Sequence, residues 1–138
     1  MLEIKRLSPV IGAEVSGANL ISPNDDEFKE LEQALSEYSV LFFRDQPRLS
    51  PKQQVAFATQ FGSLHSHPAA PISEDDEAIF VIKTDANSKV ANGNGWHTDV
   101  SCDNEPPLVT MLQLHQLPET GGDTLFSSMY AAYETLSP

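Results

Sequence analysis

The triplet His97-Thr98-Asp99 carries the clearest chemical possibility in the chain. Along an extended strand, residues i and i+2 face the same side. An imidazole nitrogen of His97 and a carboxylate oxygen of Asp99 would then converge on one point, and each can bind a divalent cation at about 2 Å. One further histidine from elsewhere would complete the two-histidine, one-carboxylate facial triad, which holds Fe(II) and leaves positions open for other ligands. On spacing alone, a surface or half-buried pair making one hydrogen bond is the commoner outcome for such a triplet.

Other groups in the chain could also do chemistry. His65 and His67 are also two apart and could join His97 and Asp99. The following Pro68-Ala69-Ala70-Pro71 reads as a loop rather than a rigid ligand strand, so a structural hydrogen bond is the expectation for His65. His115, at the end of an alternating segment, reads as a strand-edge polar residue. Cys102 lacks an evident histidine or asparagine to orient it as a nucleophile and reads as a small pocket wall. Gly121-Gly122-Asp123-Thr124 lacks the Gly-Lys-Ser ending of a phosphate loop. Glu74-Asp75-Asp76-Glu77 reads as a solvated loop without the spaced ligands of a Ca²⁺ site. Trp96 suits either a core anchor or a pocket wall.

The elements that must position these residues follow from local pattern. Leu2 to Leu7 alternates apolar and polar residues and predicts a strand. Val10 to Leu20, with Gly12 and Gly17, predicts an irregular strand that turns sharply. Asn24-Asp25-Asp26 is a helix start, and Phe28, Leu31, Leu35 and Tyr38 recur at helical spacing, giving a helix over 25–38. Val40-Leu41-Phe42-Phe43 predicts a fully buried strand. Ser50-Pro51 with Gln53 forms a capping signal for a second helix with Val55, Phe57, Ala58 and Phe61 on its core face, stopped by Gly62. Ile79–Ile82, Leu108–Leu114 and Thr124–Phe126 predict strands, and 85–95 a loop. Ser128 caps a last helix, and Ser137-Pro138 has the signature of another helix start, which suggests a cut inside a domain.

Composition narrows the function classes. The 138 residues hold 8 Lys plus Arg against 20 Asp plus Glu, a formal charge of −12. Such a surface repels phosphate backbones and anionic lipid, which argues against nucleic-acid or membrane binding. Leu, Ile, Val and Phe supply about a quarter of the chain, enough for a core and against general disorder. The single cysteine, Cys102, excludes an internal disulfide and fits a reducing, cytoplasmic setting. No apolar run follows the charges of the N-terminus, and none reaches the roughly 18 residues of a membrane span.

Several blocks, in order and at similar spacing, resemble the taurine catabolism dioxygenase family of Fe(II)- and 2-oxoglutarate-dependent oxygenases. They are Ile11 to Leu20, Val40 to Gln46, Phe61 to Pro68, Asn94 to Ser101, Glu105-Pro106-Pro107, Gly121 to Phe126 and Ala131 to Ser137. The resemblance implies a mainly β double-stranded β-helix, or jelly roll, with helices outside. It implies His97 and Asp99 as two metal ligands, and Thr124 as a contact to the far carboxylate of 2-oxoglutarate. It places His67, Val100 and Cys102 on the substrate side. The implied activity is hydroxylation of a small organic molecule, such as a sulfonate, sulfate ester or aryloxy acid, by O2 with formation of succinate and CO2.

Two departures accompany the match. The family's remaining metal histidine and its 2-oxoglutarate-binding arginine find no counterpart here, so residues 1–138 resemble the N-terminal portion of one oxygenase domain. An inactive jelly-roll binding module is the alternative, and unpaired strand edges would favour self-association into homo-oligomers. The taurine-binding pattern is also altered: Ala70, Gly93 and Cys102 stand where it has tyrosine, asparagine and phenylalanine. A different substrate is implied.

Overall fold

The computed structural model describes residues 1–66, 79–85, 87–89 and 93–137. These divide into two compact units, Met1–Arg48 with the segment from Leu114 onward, and Leu49–Gln113.

The first unit is built on a three-stranded mixed sheet. β1 (Glu3–Arg6) pairs antiparallel with β2 (Ala13–Ser16), and β2 pairs parallel with β3 (Leu41–Phe42). Parallel neighbours need a crossover, and α1 (Asp25–Tyr38) provides it. Its start is a complete capping box. Asn24 Oδ1 accepts from the backbone N–H groups of Asp26 and Glu27 at 3.1 and 3.0 Å, and Glu27 Oε2 accepts from Asn24 N–H at 3.0 Å. Asp25, Asp26 and Glu27 place negative charge at the positive end of the helix dipole. Helix α1 ends at Ser39, which takes a left-handed φ of +64° and donates its N–H to Leu35 O.

The returning chain is stitched to β2 through Gly12 N–H to Tyr38 O and Ala13 N–H to Val40 O. Gly12 has φ +90°, and a side chain there would meet the Phe42 ring. Ala13 and Val15 from β2, Leu31 and Ala34 from α1, and Leu2 and Leu20 are the buried apolar residues of this unit. Leu31 is 1% exposed and Val15 2%, each worth about 1.5–3 kcal/mol of burial. Phe126 meets Phe42 edge to face at 5.9 Å, and α3 (Met129–Glu134) follows, capped by Ser128 Oγ accepting from Ala131 N–H.

In the second unit, Ser50 and Gln53 form the expected capping box of α2 (Pro51–Ala58), with Pro51 in the first turn. A 3-10 turn, Thr59–Phe61, continues the helix to Gly62. Phe57 is buried and stacks edge to face on Phe61 at 5.6 Å. Leu49, also buried, is clamped by one side chain: Gln113 Oε1 accepts its N–H at 2.7 Å and Gln113 Nε2 donates to its carbonyl at 3.1 Å.

Several expected strands do not form ladders. Ile79–Ile82 is not a strand, and Val81 and Ile82 are exposed. Residues 108–114 keep the alternation, with Val109, Met111 and Gln113 half-buried against exposed Leu108, Thr110, Leu112 and Leu114, yet no strand is formed. Thr124–Phe126 likewise is not a strand. A periodic segment becomes a strand only when a neighbour supplies its hydrogen bonds, and no described segment pairs with these. Val40–Phe43 contributes only the two-residue β3 and is half-buried, because it lies at the sheet edge. The expectation of a mainly β architecture is therefore met only as a mixed sheet with helices. No described helix is long and apolar enough to cross a membrane.

Candidate metal centre

The residues of greatest chemical interest lie in the second unit. Gly93 and Gly95, at φ +83° and +109°, bend the chain into Trp96-His97. Trp96 is 72% exposed, so it is not a core anchor. His97 Nδ1 lies 2.9 Å from Gly95 O. A carbonyl oxygen only accepts, so Nδ1 carries a proton, and in the neutral ring Nε2 is left to present its lone pair. Nε2 in turn lies 3.4 Å from Asp99 Oδ1. Two electron-pair donors facing each other at that separation repel unless a proton or a cation lies between them.

The convergence comes from a turn, where the sequence suggested a strand. Val100 has φ +51°, a left-handed conformation that is a genuine outlier for a β-branched residue. It reverses the chain so that Asp103 N–H donates to Val100 O at 3.1 Å. The Thr98 and Ser101 hydroxyls bond to each other across the same bend. Asp103 Oδ2 accepts from His65 Nε2 at 2.8 Å, which gives His65 its expected structural hydrogen bond.

This donor set fits a divalent cation. Cis ligands on an octahedral ion, each about 2.1 Å from the metal, are about 3.0 Å apart, against the observed 3.4 Å. The two side chains are 55% and 50% exposed, leaving room for further ligands. Among the described residues, no third His, Cys, Asp or Glu completes a cluster with them. A side chain at Gly93 would start 3.7 Å from His97 Cε1, so glycine leaves that edge of the imidazole open.

The remaining sequence candidates fall in both units. Val100 is half-buried and Cys102 is exposed as a free thiol. His67 and Ala70 lie outside the described residues, as does the acidic run Glu74–Glu77. His115 Nδ1 accepts from Arg48 Nη2 at 2.9 Å in the first unit, a side-chain partner that a strand-edge reading did not anticipate. Thr124 also belongs to the first unit. It follows Gly121 and Gly122, both left-handed, and helps line an apolar cavity of about 230 Å³ with Leu7, Val40, Phe42 and Phe126. No charged side chain lines that cavity. Sequence reasoning missed Asp103 altogether. Its partner is 38 positions away, and no local pattern announces such a pair.

Residues 3–138 match the family model described as taurine catabolism dioxygenase TauD, TfdA family. The chain belongs to that family. This TauD/TfdA-family chain is 39% identical over 136 residues to the alkylsulfatase of Acinetobacter baylyi, covering 98% of the chain and 42% of the relative. It is 32% identical over 137 residues to the alpha-ketoglutarate-dependent sulfate ester dioxygenase of Pseudomonas putida, covering 98% and 44%. Among solved structures, a protein of Burkholderia xenovorans described as a candidate alpha-ketoglutarate-dependent taurine dioxygenase superimposes with a TM-score of 0.78 at 34% identity. That match covers 99% of this chain and 48% of the other. The TauD/TfdA-family chain thus spans less than half the length of each of these proteins.

Proposed function

We propose that this chain is the metal-binding part of an Fe(II)- and 2-oxoglutarate-dependent dioxygenase. Its substrate would be a small organic molecule bearing a sulfate ester, sulfonate or aryloxy acid group. The observation that carries this reading is the facing pair His97 Nε2 and Asp99 Oδ1, 3.4 Å apart, with His97 Nδ1 donating to Gly95 O. Family membership and the names of the relatives support 2-oxoglutarate dependence and a sulfate ester or sulfonate substrate. Residues 1–138 would form the N-terminal portion of a single oxygenase domain, a double-stranded β-helix when whole, as the partial coverage of the relatives suggests.

Iron with 2-oxoglutarate supplies the oxidising chemistry: decarboxylation to succinate and CO2, coupled to oxygen insertion into a substrate C–H bond. The chain's own residues bind and orient. His97 would offer a neutral nitrogen whose direction is fixed by the Nδ1 hydrogen bond, and Asp99 a negative charge that favours retention of a dication. Thr124 would hydrogen-bond the distal carboxylate of 2-oxoglutarate, while His67, Val100 and Cys102 would face the substrate. If the hydroxylated carbon carries a sulfate oxygen, the hemiacetal-like product collapses to an aldehyde and releases sulfate.

The test is aerobic succinate formation by the whole protein with Fe(II), ascorbate, 2-oxoglutarate and a panel of alkyl sulfates, alkylsulfonates and aryloxy acids. Substrate-stimulated succinate that disappears in His97→Ala and Asp99→Ala supports the reading. Succinate formation that persists in both variants refutes the ligand assignment, and none with any substrate favours the inactive binding module.

A further inference from the structure

We propose that His65 and Asp103 form a positioning pair that holds the metal-binding turn in its ligating shape; this rests on the metal reading of His97 and Asp99. The turn is fastened at both ends. On the N-terminal side, the His97 ring is tied to Gly95 O. On the C-terminal side, the left-handed Val100 is followed by the Asp103 N–H to Val100 O bond, and the Asp103 carboxylate is gripped by His65 Nε2 at 2.8 Å. His65 arrives from the segment after α2, 38 positions earlier, so the grip is a tertiary restraint on a turn whose other hydrogen bonds among the described residues, Asp103 N–H to Val100 O and Thr98 to Ser101, are local. The His65 side chain is 25% exposed and that of Asp103 44%, the more sheltered placement being on the anchoring side.

Val100 gives the restraint its purpose. A β-branched residue relaxes from φ +51° toward the β or right-handed region unless its surroundings prevent it. Such relaxation would swing Asp99 away from His97, since Asp99 immediately precedes the strained residue. Holding Asp103 opposes that movement, and it does so without either member of the pair touching the metal.

Groups that orient metal ligands typically change affinity by 10–100-fold when removed. Because this pair acts through the backbone of the turn, we expect the low end of that range. The experiment is Mn(II) binding to the full chain, followed by the loss of the free Mn(II) EPR signal, for the wild type and for His65→Phe, Asp103→Ala, the double variant and His65→Gln. The pair predicts about tenfold weaker binding in each single variant and no further loss in the double variant. It also predicts recovery to within about threefold of wild type in His65→Gln, whose amide N–H still reaches the carboxylate. Wild-type affinity in Asp103→Ala, or additive losses in the double variant, overturns the proposal. If His65→Phe does not fold, Asp103→Ala and His65→Gln decide the matter alone. His97→Ala separates the two levels. If it abolishes binding while the His65 and Asp103 variants bind normally, the positioning role fails and the metal reading stands. If it leaves binding intact, the metal reading itself fails and the positioning role goes with it.

Discussion

Replacing Asp99 by Asn keeps the shape of the side chain and removes one negative charge, which makes it the sharpest probe of the metal pair. Its carboxylate oxygen is 3.4 Å from His97 Nε2, and the side chain is half exposed. The water-like end of the dielectric range therefore applies. A carboxylate charge about 2.1 Å from a dication is worth roughly 4 kcal/mol at a dielectric constant near 80. An amide oxygen or a water at the vacated position returns part of this, leaving about 2 kcal/mol, or roughly thirtyfold in Kd. Titration with Co(II), read through the visible ligand-field band, should show Asp99→Asn binding roughly thirtyfold more weakly than wild type. His97→Ala should lose the nitrogen-dependent shift of that band. Unchanged affinity in Asp99→Asn, together with an unchanged spectrum in His97→Ala, would refute the view that the two face each other in order to share a cation.

Three further outcomes concern the frame around the site. Leu31→Ala should cost about 3 kcal/mol, since Leu31 is 1% exposed on the core face of α1 and leaves a cavity; a urea midpoint equal to wild type would contradict the packing. Gln113→Ala should destabilise the second unit by about 2 kcal/mol, because the N–H and carbonyl of buried Leu49 both lose that partner. Amide exchange at Leu49 should accelerate in that variant, and unchanged protection would count against the clamp. Gly122→Ala forces a side chain into φ +74° with its Cβ 3.2 Å from Pro118 Cγ and should cost about 1–2 kcal/mol. A thermal scan showing no loss would mean that the turn before Thr124 is not built as described.

The parts legible in the sequence are those whose forces act within a few residues. Helix α1 begins and ends where its pattern says, Asp25 to Tyr38, because the Asn24–Glu27 box and the spacing of Leu31 and Leu35 are local facts. The Ser50–Gln53 box of α2 and the Ser128 cap of α3 are legible for the same reason. The blocks around His97 also point to a family without any knowledge of shape, and the family match bears this out. What tertiary structure decided is everything that needs a distant partner. Residues 108–114 alternate as a strand should, yet alternation cannot supply the neighbour whose N–H and C=O groups make a ladder. His97 and Asp99 do face each other, but through a left-handed Val100 and a closed turn, since strand periodicity was only one of the backbone paths that bring i and i+2 together. The grip of His65 on Asp103 is invisible along the chain, because its two ends become neighbours only once the second unit has folded.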